Sequence, residues 1–176
     1  MRRIGFVVEE PSDEKIISEI VRRLGVQPDM RVVRGKNDRK IRVFAEMLLE
    51  GGCEKVVVVK DGDCLELEDV EEERNKIRSR LGLQGVEVCV VVDEIEAWLL
   101  ADEKAISNYV GSSLQEFGDP ERIKKPSEEL NRIFRGVGRS YLKGGEDPRE
   151  VAKRLDLERL AERCRCFAEF KRLVAC

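Results

Sequence analysis

Four short apolar runs, Arg3–Val8, Met30–Val33, Lys55–Val59 and Val86–Val92, alternate with stretches where apolar residues recur every three or four positions. Unbroken Val- and Ile-rich runs of this length read as strands buried on both faces. The first stretch between them has Ile16, Ile17, Ile20, Val21 and Leu24 on one helical face. It starts at Ser12 or Asp13, with Ser12 as a plausible N-cap, and stops at Gly25. A second helix spans Arg39–Glu50, with Ile41, Phe44, Ala45, Leu48 and Leu49 on one side and Gly51-Gly52 behind it. A charged third helix, Glu68–Leu81, closes at Gly82, and a fourth, Glu94–Leu100, follows the last strand directly.

Strands separated by helices predict an α/β fold with a mostly parallel sheet of about four strands, flanked by helices. A strand order of 2-1-3-4 sets the ends of the first and third strands side by side, where Glu9 and Asp61 meet. Beyond residue 102 the pattern is helical to the terminus. It breaks near Gly111, Gly118-Asp119-Pro120, Lys125-Pro126, Gly136 to Gly138 and Gly144-Gly145. The last segment, Leu157 to Val174, has one continuous apolar face. The chain therefore divides into an α/β core over residues 1–102 and a helical extension over 103–176 packed on it.

Composition narrows the chemistry. Charged residues are 39% of the 176-residue chain and cancel to a net charge of −3. A freely diffusing nucleic-acid binder is usually more basic, so contacts of that kind must come from local patches. There is no histidine, which excludes imidazole bases, Ser-His and Cys-His dyads and His metal ligation. The cysteines at 53, 64, 89, 164, 166 and 176 have no paired Cys-x-x-Cys spacing, which argues against a zinc ribbon. Cys89 reads as a core residue, and Cys164 and Cys166 as free thiols. With no signal peptide and no apolar run long enough to span a bilayer, the expectation is a cytoplasmic protein.

Three predicted strands end on acids: Glu9-Glu10, Asp61-Gly62-Asp63, and Asp93-Glu94. In parallel sheets, ligands sit outside the carboxyl ends of the strands. Carboxylates converging there repel one another unless a cation neutralises them, and oxygen ligands favour Mg²⁺ or Mn²⁺. Asp61 and Asp63, with Gly62 allowing a tight bend between them, also fit an ordinary strand-to-helix turn. Asp93 and Glu96 are equal candidates for a further metal ligand. Glu96 also fits a surface or buried structural acid paired with an Arg, but its segment directly follows a sheet strand, which favours the ligand reading. Lys36, with Arg34, and Lys143, beside Arg139, are candidates for holding a substrate phosphate. Both stretches also read as flexible charged loops.

Val8-Glu9-Glu10-Pro11-Ser12-Asp13, followed by Asp61-Gly62-Asp63, resembles the Toprim domain of topoisomerases, bacterial primases and overcoming-lysogenization-defect nucleases. That domain has a Glu after its first strand and an Asp-x-Asp after its third; Glu10 stands where it usually has Gly. Glu94 to Asp102, Ser140-Tyr141-Leu142-Lys143 and the Cys164 to Phe170 helix are similar to a narrower group, DUF4276. The resemblance implies a Rossmann-like Toprim fold and a Mg²⁺-dependent nuclease of antiphage or mobile-element defence, working beside an ATPase partner. In that role Glu9, Asp61 and Asp63 are catalytic, and Glu9, Asp61, Asp63, Asp93 and Glu96 form the metal set. Two rival readings stay open. One is a receiver-like module phosphorylated on Asp61; the other is an inactive Toprim-like protein that only binds a partner.

Overall fold

The computed structural model describes residues 3–175. Strands β1 (Arg3–Val8), β2 (Gln27–Val32), β3 (Lys55–Asp61) and β4 (Val86–Val91) form one all-parallel sheet in the order β2-β1-β3-β4. Helix α1 (Pro11–Arg23) connects β1 to β2, α2 (Asp38–Glu50) connects β2 to β3, and α3 (Val70–Leu81) connects β3 to β4. Six more helices follow: α4 (Glu96–Leu100), α5 (Glu103–Val110), α6 (Pro126–Gly136), α7 (Asp147–Ala152), α8 (Leu157–Arg163) and α9 (Arg165–Ala175).

The period-2 alternation of the strands sorts their side chains into two cores. Val7, Val56, Val58, Val88 and Val90 face α2 and α3. Ile4, Phe6, Val57, Val59, Cys89 and Val91 face α1 and the helical half of the chain. That second core reaches residues far downstream. Trp98 lies 5.1 Å from Phe167 and 5.2 Å from Phe170 between ring centroids, and Phe170 reaches Phe6 on β1. Gly5 lets α2 approach the sheet, because a Cβ there would lie 3.0 Å from Leu48 Cβ and from Val56 Cγ2.

The structure departs from the sequence pattern at several element boundaries, of which four are instructive. Strand β2 begins at Gln27 rather than Met30. Pro28 looks like a turn signal, but β2 is an edge strand, where a missing N–H is tolerated. Helix α1 starts at Pro11, not Ser12, and Asp13 accepts the Glu10 N–H at 2.9 Å. The helix after β4 starts at Glu96. Finally, the apolar stripe from Leu157 to Val174 is two helices, interrupted at Cys164 (φ −122°, ψ 111°). The buried Glu121 carboxylate accepts the N–H groups of Arg165 at 2.9 Å and Cys166 at 2.7 Å. It thereby caps a fresh helix start that the sequence spacing reads straight through. Cys53, Cys64, Cys89, Cys164 and Cys166 are free thiols; Cys176 lies outside the described residues. Among the described residues, no helix is long and apolar enough to cross a membrane.

Candidate metal centre

The parallel pairing of β1 with β3 brings their carboxyl ends together, and one Glu9 oxygen accepts the Asp61 N–H at 3.0 Å. Glu9 is 2% exposed, and its other oxygen, Oε2, has no hydrogen-bond partner. Burial pushes its carboxyl above the usual carboxylate range, although Lys60, the Asp61 N–H and Lys36 pull the other way. Asp61 ends β3, and one of its oxygens accepts the Ile95 N–H at 2.9 Å. Its carboxyl is held well above the normal range by burial and by the charges of Asp13 and Glu96, against the opposing pull of Lys143.

Glu96 is the deepest acid. It is fully buried in the first turn of α4, and neither of its oxygens has a hydrogen-bond partner. Burial raises its pKa to about 7, Lys143 lowering it and Glu94 raising it. Lys143 Nζ lies 3.4 Å from Glu96 Oε1 and 3.9 Å from Glu94 Oε1. Burial alone would lower the pKa of this ammonium, but Glu96, Glu94, Asp61 and Asp13 together keep it above its ordinary value.

Glu9, Asp61, Asp63, Lys36, Glu94 and Lys143 all line one cleft with the start of α1. Asp63 and Lys36 stand at its rim, more than half exposed and paired with each other. The turn between Asp61 and Asp63 is not built as the glycine suggests. Gly62 continues the ladder by donating to Val91 O at 2.8 Å, and a Cβ there would lie 2.6 Å from that same oxygen. Asp63 (φ 46°) and Cys64 (φ 64°) take the left-handed conformation instead. Gly62 is thus needed for its small size, and its neighbours make the bend.

Glu96, fully buried, is not part of the cleft's lining and meets it through Lys143, and Asp93 does not line the cleft either. The φ of Asp93 is 57°, and its two oxygens accept the N–H groups of Cys64 at 2.9 Å and Lys125 at 2.7 Å, tying two loops together. Asp102 likewise serves the backbone, accepting from Ala105 N and Asp156 N. Asp13, not singled out as a ligand in the sequence, belongs to the cluster together with Glu94, one of the acids the sequence left open. Asp13 is 3% exposed and is pushed up by burial; its signal was its place one turn after Glu9. Glu94 lines the cleft and accepts the Ser127 N–H at 2.8 Å. Among the described residues, no three acids or thiols converge closely enough to enclose an ion in this arrangement. The donors nevertheless suit a hard cation: every one is a carboxylate, and three buried oxygens on Glu9 and Glu96 lack partners.

The DUF4276 family model, a domain of unknown function, matches residues 8–174, so the chain belongs to that family. No curated protein and no solved structure matches it.

Proposed function

We propose that this DUF4276 family member is a Mg²⁺- or Mn²⁺-dependent phosphodiesterase of Toprim type that cuts nucleic acid. The observation that carries the reading is the set of buried oxygens without hydrogen bonds on Glu9, at the carboxyl end of β1, and on Glu96, in the first turn of α4. Leaving a buried carboxylate oxygen unpaired costs about 1–3 kcal/mol or more, so such a set calls for a partner. Asp61, Glu96 and the rim residue Asp63 would hold the cation. When bound, the ion would polarise a phosphoryl oxygen and lower the pKa of an attacking water. Glu9 Oε2 would be placed to accept a proton from an attacking water, a role that suits a carboxyl kept basic by burial. Lys36, at the cleft rim, orients a substrate phosphate as a point charge. The sequence has no Gly-x-x-x-x-Gly-Lys loop, so ATP dependence would come from an ATPase partner, which belongs to the same proposal.

The test uses supercoiled plasmid, linear DNA and RNA with Mg²⁺ or Mn²⁺. Metal-dependent nicking by the protein, reduced at least about a hundredfold in Asp61→Ala, is the expected result. Equal cleavage by the variant, or none by either protein with an ATPase partner supplied, overturns the nuclease reading. Labelling of Asp61 by acetyl phosphate in place of cleavage would install the phosphoacceptor reading instead.

A further inference from the structure

Lys143 comes from the helical half of the chain, yet its ammonium stands among acids of the sheet half. The backbone around it is fastened on several sides. Leu142 N donates to Asp147 at 2.7 Å, and Tyr141 N donates to Asn131 at 3.2 Å. Lys15 Nζ on α1 donates to the carbonyls of Gly144 at 3.1 Å and Gly145 at 2.5 Å. Asp147 is held in turn by Tyr109 OH at 2.7 Å and by Arg139, whose guanidinium lies 4.6 Å from the Tyr109 ring centre. The Lys143 side chain is looser. It is 37% exposed, and at 3.4 and 3.9 Å its ion pairs with Glu96 and Glu94 leave both Glu96 oxygens without a hydrogen bond.

We propose that Lys143 is the cleft's resident counterion, holding its acids together in the cation-free protein, and that a divalent cation and the Lys143 ammonium occupy the Glu96 carboxylate alternately. This inference rests on the divalent-cation reading above. The physical basis is competition for the same lone pairs. An ammonium retained by charge alone yields to an ion that coordinates oxygen directly, and a flexible four-carbon stem swings out without moving its anchored loop. The exposed end of Lys143 is then available in the cleft that Lys36 also lines, for a substrate phosphate. It is a positioning residue whose place depends on whether the cation is present.

Two measurements on the full chain test this. Calorimetric titration with Mn²⁺ should give a Kd for Lys143→Gln between about fivefold and about a hundredfold lower than for the unmodified protein. Lys143→Arg, which keeps the charge, should bind no more tightly than the unmodified protein. In the unmodified protein, acetic anhydride labelling read by mass spectrometry should find Lys143 several-fold more reactive with Mg²⁺ present, with Lys76 as an exposed reference; this arm does not depend on any variant folding. An unchanged or raised Kd in folded Lys143→Gln, or unchanged Lys143 reactivity at saturating Mg²⁺, overturns the counterion role and leaves the metal site standing. Absence of Mn²⁺ uptake by every protein, with no Mg²⁺ effect on labelling, overturns both.

Discussion

The buried carboxylates of the helical half and two at the head of the sheet, Glu9 and Glu96, are treated in opposite ways by the fold, while Asp93 beside them is satisfied like the first group. In the helical half each one has work within the backbone or with an Arg. Glu121 caps α9, Asp102 caps α5 and accepts from Asp156 N, and Glu103 pairs with Arg159 and Arg163. At the head of the sheet, Glu9 keeps one oxygen without a hydrogen bond and Glu96 keeps two. The first group is satisfied within the chain, as buried charges normally must be. In the second group Glu96 has only the ion pair with Lys143 at 3.4 Å and Glu9 Oε2 has no hydrogen-bond partner, which is what the proposed cation site would draw on. The difference teaches that burial of an acid is a poor guide to function; the state of its lone pairs separates the two.

The sharpest way to break this contrast is to remove one member of each group. Glu121→Ala should lower unfolding free energy by about 3 kcal/mol, because two buried N–H groups lose their acceptor and a cavity opens. Chemical denaturation at neutral pH measures it, and a loss below about 1 kcal/mol would erase the distinction between the groups. Glu96→Gln should act in the other direction. The folded-state pKa of Glu96 is raised to about 7 from an ordinary value near 4.5, so the native state holds its proton more tightly than the unfolded chain. Its contribution is fully present below pH 4.5 and is lost as pH rises through about 7.

The cation-free protein should therefore lose up to about 3 kcal/mol between pH 5 and pH 8 through this group. Glu96→Gln should flatten that slope and be the more stable form at pH 8, as followed by thermal melts in a chelator. A third expectation concerns the cation itself. At pH 8, Mg²⁺ at a hundred times its Kd should add about 2.7 kcal/mol to the unmodified protein, and little to Glu96→Gln, by the same melts. The smallest effect belongs to the rim. Asp63→Ala removes an exposed ion pair with Lys36 and should change stability by less than about 1 kcal/mol. A larger loss would mean that Asp63 supports the turn at φ 46° rather than serving the cleft.

Much of the fold was legible because it rests on local patterning. Uninterrupted Val runs between amphipathic helices specify a parallel sheet; its order β2-β1-β3-β4, on which the meeting of Glu9 and Asp61 depends, is set by the tertiary pairing of the strands. Where a local signal misled, a tertiary contact had overridden it. The Leu157–Val174 stripe is cut by a carboxylate from Glu121, more than forty residues upstream in sequence. Asp93 looked like a ligand from its place after a strand, but its oxygens are taken by Cys64 N and Lys125 N, which no spacing rule reveals.

The sequence by itself determined the sheet, the helices on it, and the delivery of acids to the carboxyl ends of the strands, because periodicity and strand termini are local properties. It also determined that no imidazole is available to any site, since the chain has no histidine. Only the tertiary structure decided which acids are free. It spent Asp93, Asp102 and Glu121 on backbone N–H groups, left Glu9 and Glu96 with open lone pairs, and brought Lys143 to Glu96. Hydrogen-bond satisfaction and burial depend on atoms supplied from the whole chain, so they become visible only once the chain is folded.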